Sequence, residues 1–388
     1  MTDLFAFDDG TCQQLAEAHG TPCFAYSGTV AEAQFTALRA ALPSRVRLAY
    51  AVKANPHPAL LARFASLGAS FDCASIGELG RVEALRLPPG RTFFAGPGKR
   101  EEELRKALAM GVRVQAEGFE DLARIDALVD RETAVNLRVH PAFDIDEGNR
   151  IIGGSGPSAF GVDEEEVPAL LMRATALRHV RIRGLHVFAA SNQRDASKLL
   201  AIHGAVLDLA KRLHQQHGLA FEQIDLGGGL GIPYASGQAP LDVGALGQGL
   251  SSLLAAHPWF TGELILEPGR FLAGPTGVYL ARVVRLKASR GTRFAILEGG
   301  INHLIRPLLT GEPFPVKAVG RGEGALPTTL AGPLCTSLDR LGEVLLPELA
   351  AGDLLAFGST GAYGLNEGMT HFLSHPVPPE IWVGDPLS

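Results

Sequence analysis

The chain has 388 residues, of which 46% are hydrophobic and 20% charged, with a formal net charge of −6; this composition predicts a globular protein with one large domain plus an appendage, or two domains. No long basic run or interleaving of aromatic residues with Lys and Arg is present, which argues against nucleic acid and anionic membranes as partners. The N-terminus has no signal-peptide pattern and no apolar stretch reaches the roughly 18 residues of a membrane span, so we expect a cytoplasmic protein with small-molecule ligands.

From Val46 onward, short apolar runs alternate with segments of helical period, which is the pattern of parallel strands joined by crossover helices. Helical spacing predicts helices at residues 58–67, 77–85, 101–110 and 196–216. The predicted strands cover residues 46–53, 69–75, 92–96, 112–117, 134–140, 182–189, 223–229 and 264–270. Eight strands in this order predict an α/β fold built on a (β/α)8 TIM barrel.

After residue 270 the alternation stops, and the rest of the chain is rich in Gly, Pro and β-branched residues. This composition predicts a second, mainly β domain, with strand-like segments at residues 277–284, 292–297, 331–336 and 353–357. We expect the barrel to span residues 28–270 and the β domain to combine residues 1–27 with residues 271–388. The glycine-rich connection at residues 141–158 is expected to be a mobile or ligand-facing loop.

Lys53 ends the apolar run that begins at Val46 and stands just before the turn formed by Asn55 and Pro56. A strand that continues to residue 53 delivers this side chain to the active-site face of a barrel. A lysine there suits a Schiff base with an aldehyde cofactor. Taken alone, a surface lysine is the more common explanation.

Two further motifs stand at the ends of the last two predicted strands of the barrel. Gly227, Gly228 and Gly229 leave backbone N–H groups free to approach an anion, which suits a phosphate, although a tight turn explains three glycines equally well. Glu267 suits a protonated pyridine nitrogen, and Arg270 suits a phosphate or a substrate carboxylate. A mutual ion pair of Glu267 and Arg270 at the barrel rim is the alternative.

Cys335 lies in a predicted turn of the second domain, within Gly332-Pro333-Leu334-Cys335-Thr336-Ser337-Leu338-Asp339. A cysteine in such a position is more often an inert thiol than a catalyst. The four cysteines of the chain show no C-x-x-C pair and no metal-ligand spacing, so neither a disulfide framework nor a metal site is expected.

Together the motifs identify a resemblance that spans nearly the whole chain. The chain resembles the pyridoxal-phosphate-dependent decarboxylases of the alanine-racemase-like fold, the group that contains diaminopimelate and ornithine decarboxylases. The segments that carry the resemblance, in the order of that family, are residues 50–56, 71–75, 159–161, 227–232, 267–270, 299–302, 332–339 and 361–364.

This resemblance implies pyridoxal 5'-phosphate as the cofactor and a homodimer in which the cysteine segment reaches the active site of the neighbouring subunit. It implies that Lys53 forms the Schiff base, that Glu267 faces the pyridine nitrogen, and that Cys335 returns a proton to the substrate carbon. The residues implied to bind the cofactor phosphate are Gly227, Gly228, Gly229, Ser191 and Tyr363, with Arg270 as a further cofactor contact.

The chain departs from the family pattern at the ring and at the substrate. Phe188 stands where the family has a histidine beneath the cofactor ring, and His186, two residues earlier, is expected to be structural. Thr336 and Thr310 stand where diaminopimelate decarboxylases carry an acidic residue and a tyrosine. Arg306 is retained and is expected to bind a substrate carboxylate.

The sequence therefore predicts α-decarboxylation of an amino acid or of a derivatised amino-acid intermediate, of the siderophore or carrier-bound type. The substrate is an amino acid that is either free or presented by a carrier protein, and the sequence leaves both open. The alternatives are decarboxylation of meso-diaminopimelate in lysine biosynthesis, amino-acid racemisation, and non-catalytic carriage of the cofactor.

Overall fold

The computed structural model describes residues 4–143 and 156–384, so most of the predicted loop at residues 141–158 lies outside the described residues. In chain order, the strands are β1 (Cys23–Ser27), β2 (Val46–Ala51), β3 (Ser70–Cys73), β4 (Thr92–Phe94), β5 (Arg113–Ala116), β6 (Thr133–His140), β7 (Val162–Asp163), β8 (Val180–His186), β9 (Gln223–Asp225), β10 (Glu263–Leu266), β11 (Gly277–Ser289), β12 (Thr292–Leu297), β13 (Val316–Ala318), β14 (Leu326–Ala331), β15 (Arg340–Leu346), β16 (Leu354–Phe357) and β17 (Glu380–Val383).

The α-helices are α1 (Asp9–His19), α2 (Gly28–Ala41), α3 (Pro58–Ser66), α4 (Ile76–Glu83), α5 (Glu101–Ala109), α6 (Phe119–Leu128), α7 (Val167–Ala174), α8 (Ala196–His217), α9 (Val243–Ala256), α10 (Arg270–Ala273) and α11 (Arg306–Thr310). No helix among these described residues has both the length and the apolar character needed to cross a membrane.

Eight parallel strands close into a barrel. Their order around the barrel is β5, β4, β3, β2, β10, β9, β8 and β6, and the pairing of β5 with β6 closes the circle. Ala49, Phe93 and Ile265, from three of these strands, form a buried cluster. The predicted (β/α)8 barrel is confirmed, and its seventh strand, β9, is the one that the sequence predicts before the glycine cluster.

The end of β2 differs from the prediction. The strand stops at Ala51, and Val52–Ala54 form a turn of 3₁₀-helix, so the prediction that Lys53 continues the strand was wrong. The side-chain oxygen of Asn55 accepts the backbone N–H of His57 at 2.9 Å and fixes the turn that leads into α3. Lys53 therefore lies just beyond the carboxyl end of its strand.

The chain divides into two compact units. The barrel unit takes residues from 35–231 and 241–269, and the β unit takes residues from 1–34, 232–240 and 270–388. The domain boundaries given above, at residues 27/28 and 270/271, stay a prediction of the sequence.

The β unit is built around the long strand β11, which pairs antiparallel with β1, β12 and β16. Strands β14 and β15 extend the sheet beyond β12, which confirms the predicted mainly β second domain. The prediction of a strand at residues 331–336 was wrong in its position. Strand β14 ends at Ala331, because the buried carboxylate of Asp339 accepts the N–H of Leu334 at 2.7 Å and turns the chain there.

Candidate active site

Lys53 presents its amine beside an aromatic ring at the carboxyl ends of the barrel strands. Its Nζ lies 3.8 Å from Oδ2 of Asp72 in β3 and 5.1 Å from the ring centroid of Phe188, two residues after β8. The side chain of Lys53 is 42% exposed, whereas that of Asp72 is 2% exposed. The amine is thus held beside a buried carboxyl group, while much of the Lys53 side chain stays exposed.

The glycine segment after β9 packs too closely against its neighbours for any side chain. A Cβ on Gly228 would lie 2.5 Å from the carbonyl oxygen of Glu267, and one on Gly229 would lie 2.5 Å from Cβ of Ala190. Gly227 and Gly229 have φ values of +68° and +92°, the left-handed region that glycine tolerates best. Over residues 4–143 and 156–384, no acceptor receives the N–H groups of Gly228 and Gly229, which leaves them available to an anion.

Ser191 lies in the loop that packs against this glycine segment. The N–H of Gln193 donates to the carbonyl oxygen of Gly229 at 2.8 Å, and the N–H of Gly231 donates back to that of Gln193 at 2.9 Å. These two bonds hold the loop after β8 alongside the loop after β9. The predicted phosphate ligands Ser191 and Gly227 to Gly229 therefore belong to two loops that are bonded to each other.

Glu267 follows β10 and is only 2% exposed. Its Oε1 accepts a hydrogen bond from Nε2 of Gln115 at 3.2 Å, and its Oε2 lies 3.6 Å from Nε2 of His186. Burial raises the pKa of Glu267, but the His186 ring and the Lys53 ammonium more than offset this, so the net pKa lies below its usual range. Glu267 is therefore anionic at neutral pH.

The neighbouring groups respond to the same burial. Burial raises the pKa of Asp72 to about 8, and repulsion by Glu267 acts in the same direction. Burial lowers the pKa of His186, and the negative charge of Glu267 acts against this. Glu267 thus holds the negative charge of this group of side chains.

These residues fit pyridoxal phosphate by their chemistry. The cofactor needs an amine for its aldehyde, backbone N–H groups for its phosphate, and an anion for its ring nitrogen. Lys53, the segment Gly227 to Gly229, and Glu267 supply these three groups from the carboxyl ends of β2, β9 and β10, all within the barrel unit.

Arg270 and Tyr363 lie together in the β unit. The guanidinium of Arg270 lies 4.6 Å from the ring centroid of Tyr363, and its Nη1 donates to the hydroxyl of Tyr234 at 2.8 Å. Tyr363 has a φ of +53°, which is unusual for an aromatic residue. The structure thus places both predicted cofactor contacts in one cluster and adds Tyr234, which the sequence analysis missed.

Arg306 is 4% exposed and already has partners. Its Nη2 lies 2.7 Å from Oε2 of Glu312, and its Nη1 donates to the carbonyl oxygen of Glu312 at 3.1 Å. Its guanidinium also lies 3.7 Å from the ring centroid of Tyr234. Thr310 joins the two ends of this turn, since its hydroxyl donates to the carbonyl oxygen of Arg306 and accepts the N–H of Glu312.

Cys335 is exposed, in a turn that Asp339 organises. The buried carboxylate of Asp339 accepts the N–H groups of Ile301 at 2.8 Å and Leu334 at 2.7 Å. A Cβ on Gly332 would lie 2.4 Å from this carboxylate. The hydroxyl of Thr336 accepts the N–H of Leu338 at 3.2 Å, so the side chain predicted to contact substrate also supports the turn.

Four residues of the barrel site were missed or given no role by the sequence analysis: Asp72, Gln115, His186 as a neighbour of Glu267, and Asp225. Asp72 and Asp225 carry the one usable signal, which is an acidic residue inside an otherwise apolar strand. Gln115 has no such signal, because an isolated glutamine on a strand is more often exposed.

The parallel barrel and the site at its carboxyl ends define an enzyme that uses pyridoxal phosphate. Residues 29–274 match the family model described as "Pyridoxal-dependent decarboxylase, pyridoxal binding domain", and the chain belongs to this family. The activity and the cofactor predicted from the sequence are thereby confirmed at this level: the protein is an amino-acid decarboxylase, and hence a lyase, that uses pyridoxal phosphate.

Curated relatives include L-glutamyl-[BtrI acyl-carrier protein] decarboxylase of Niallia circulans, which is 31% identical over 96% of this chain and 91% of its own. Diaminopimelate decarboxylase of Pseudomonas aeruginosa is 36% identical over 93% of this chain and 88% of its own. The 2-[(L-alanin-3-ylcarbamoyl)methyl]-2-hydroxybutanedioate decarboxylase of Staphylococcus aureus is 29% identical over 96% of both chains.

Solved structures give the same result for the fold. The diaminopimelate decarboxylase of Helicobacter pylori, complexed with L-lysine, superposes with a TM-score of 0.87 at 26% identity. The match covers 96% of this chain and 94% of the other, so both the barrel and the β domain have counterparts there.

Proposed function

We propose that the protein decarboxylates a derivatised or carrier-bound amino acid. The observation that carries this proposal is the pairing of Arg306 with Glu312 at 2.7 Å. The predicted ligand for a distal substrate carboxylate is thus neutralised by a residue of the same chain. A substrate carboxylate could reach the guanidinium of Arg306 only by displacing Glu312, which counts against free diaminopimelate.

The relatives support both this substrate class and its rival. One is named for a glutamyl group on an acyl-carrier protein and another for an amide-linked hydroxybutanedioate, whereas the Pseudomonas aeruginosa relative is named for diaminopimelate. Meso-diaminopimelate is therefore the second candidate. Thr310 and Thr336 favour the first candidate, because neither hydroxyl replaces the charge of a carboxylate for a distal ammonium.

The residues of the chain have distinct parts in the reaction. The amine of Lys53 would attach the cofactor and would give way to the substrate amine, and the N–H groups of Gly228 and Gly229 would hold the phosphate. When bound, pyridoxal phosphate supplies an electron sink beside the substrate carbon. The bond from Cα to the carboxylate breaks, carbon dioxide leaves, and the thiol of Cys335 gives its proton to Cα.

Racemisation and cofactor carriage are less well supported. The anionic Glu267 favours a protonated ring nitrogen, whereas racemases that resemble this fold face that nitrogen with arginine. A barrel that only carries the cofactor has no use for a β unit with an exposed Cys335.

The proposal includes a homodimer that acts in the cytoplasm. Apolar side chains are exposed beside Cys335, since Leu338 is 57% exposed and Leu308 is 39% exposed. Both line one surface pocket of the β unit. Covering them with a second copy would bury apolar surface and bring the thiol to a partner's site.

Dimerisation is tested by mixing Lys53→Ala with Cys335→Ala after joint unfolding and refolding. Random pairing gives mixed dimers with one intact site, so about a quarter of wild-type turnover should return if the sites are shared. No recovery from a preparation shown to be dimeric by light scattering would contradict shared sites.

The substrate is tested by carbon dioxide release from the cofactor-loaded enzyme. Meso-diaminopimelate is compared with glutamate as the free acid, as a carrier-protein thioester and as a side-chain amide. Release from the thioester or the amide, and little from the two free amino acids, is expected. Rapid release from meso-diaminopimelate alone would assign the enzyme to lysine synthesis instead.

A further inference from the structure

His186, Asp225 and Glu267 form a buried cluster at the carboxyl ends of β8, β9 and β10. One side-chain nitrogen or oxygen of each residue lies within 4.8 Å of those of the other two. The three residues are 2%, 0% and 2% exposed, in that order. Bulk water therefore screens the charges of these side chains very little.

Gln115 holds the two acidic side chains next to each other. Its Nε2 donates to Oδ2 of Asp225 at 3.0 Å and to Oε1 of Glu267 at 3.2 Å. The other oxygen of Asp225 accepts the N–H of Gly227 at 2.9 Å. Asp225 is thus fixed through both oxygens, one of them bonded to the glycine segment that would hold the cofactor phosphate.

Two carboxyl groups this close in a dry site do not both ionise, so the pair keeps one proton. Burial, and then repulsion by Glu267, raise the pKa of Asp225 well above its usual range, and the hydrogen bond from the N–H of Gly227 offsets this only in part. The pKa of Glu267 moves the other way, because the His186 ring and Lys53 offset its burial. The proton of the pair therefore belongs on Asp225.

We propose that Asp225 is a positioning residue whose carboxylic acid donates a hydrogen bond to Glu267 and thereby keeps Glu267 anionic toward the pyridine nitrogen. The proposal rests on the role proposed above for Glu267. It explains why an acidic residue occupies the end of β9, where the glycine turn needs only an acceptor for the N–H of Gly227. It also explains how two acidic residues share a buried site while Glu267 keeps the negative charge that it offers to the ring nitrogen of the cofactor.

The test compares dissociation constants for pyridoxal phosphate and for its 1-deaza analogue, in which a C–H group replaces the ring nitrogen. Asp225→Ala should weaken binding of pyridoxal phosphate by about tenfold, the usual effect of a lost hydrogen bond to a charged group. It should weaken binding of the analogue clearly less, since the analogue makes no use of the charge on Glu267 and loses only what the hydrogen bond from Gly227 to Asp225 contributes to the phosphate site. Asp225→Asn should keep the wild-type ratio of the two dissociation constants, because its amide nitrogen can also donate to Glu267, although that nitrogen cannot accept a hydrogen bond as the Asp225 oxygen does.

Glu267→Gln separates this proposal from the one on which it rests. If Glu267 faces the ring nitrogen, this variant weakens pyridoxal phosphate more than the analogue. Discrimination by Glu267→Gln combined with equal weakening of both ligands by Asp225→Ala would overturn the role of Asp225 alone. Equal weakening of both ligands by Glu267→Gln would overturn the assignment of Glu267 and the proposal with it.

The proton itself is measured by infrared difference spectroscopy of the cofactor-loaded protein at pH 7. A protonated-carboxyl band should be lost in Asp225→Asn and kept in Asp242→Asn, the matched control at the exposed start of α9. A spectrum that Asp225→Asn leaves unchanged would overturn the proposal. A bound divalent metal that is lost in the same variant would overturn it as well.

Discussion

The barrel unit and the β unit both bury charged side chains, but they neutralise them differently. In the barrel unit, Asp225 and Glu267 share the amide of Gln115, and burial leaves one of the two acids protonated. In the β unit, the guanidinium of Arg306 meets the carboxylate of Glu312 at 2.7 Å and lies over the ring of Tyr234.

The two units therefore differ in the charge that is available to a ligand: Glu267 of the barrel unit is anionic, whereas Arg306 of the β unit is already paired with an acid. Glu267 remains anionic, so a cationic ligand group gains from it directly. Arg306 already forms an ion pair with Glu312, so a substrate carboxylate would have to displace Glu312. The presence of Arg306 at the position expected from the family therefore does not by itself mean that it binds a substrate carboxylate.

The largest effect should come from Lys53→Ala. Loss of the covalent amine should lower carbon dioxide release by about a thousandfold or more. Lys287→Ala, at an exposed position on β11, is the matched control and should keep wild-type turnover. Borohydride reduction followed by peptide mass mapping should place the cofactor on Lys53, and a label on another lysine would refute the assignment.

Gly228→Ala tests whether the close packing of the glycine segment is needed. The added methyl group would lie 2.5 Å from the carbonyl oxygen of Glu267, whose own N–H is bonded to Gly227 at 2.8 Å. Relieving this clash should cost about 1–3 kcal/mol and weaken pyridoxal phosphate by about ten- to a hundredfold. Gly322→Ala, with no atom within 4 Å of the new methyl group, should leave the dissociation constant unchanged.

The sequence predicts the order and number of the barrel strands well, but not where they end. The predicted strand at residues 264–270 stops at Leu266, and the one at residues 223–229 stops at Asp225. Beyond β9, residues 226–229 are apolar or small, so hydrophobicity alone does not separate them from the strand, whereas beyond β10 the charged Glu267 and Arg270 follow within four positions. Glu267 and the glycine segment lie in that region.

The partners of the site residues were harder to predict. Gln115 and Glu267 are 152 positions apart in the chain, and only barrel closure brings β5 and β10 to a common interior. Glu312 stands six positions after Arg306, close enough to pair, but an exposed acid near an arginine is common in any sequence. Composition and hydrophobic periodicity predict helices and strands. These side-chain contacts depend in addition on how the strands and loops are aligned with one another in the folded chain.

Glu312→Gln should remove the ion pair of the β unit and leave the guanidinium of Arg306 without its acidic partner. We expect the KM for meso-diaminopimelate to fall by about tenfold, because a substrate carboxylate no longer competes with an internal one. Glu323→Gln, an exposed change in the same unit, serves as the control. An unchanged KM for every dicarboxylic amino acid would show that Arg306 does not face the substrate.

The smallest effect should be the pH dependence contributed by Asp72. Its pKa is about 8 in the folded chain because burial, and then Glu267, disfavour the charged form, against an ordinary value of 3.8. The folded state therefore binds the extra proton, so this stabilisation is present at low pH and is lost as pH rises through 8. Between pH 7 and pH 8 the free energy of unfolding should fall by about 1 kcal/mol through this residue. Urea titrations of the cofactor-free chain should show a flatter profile for Asp72→Asn than for wild type or the exposed control Asp163→Asn. A profile that Asp72→Asn leaves unchanged would mean that Lys53, 3.8 Å away, keeps Asp72 ionised and that the barrel cluster carries more charge than its burial suggests.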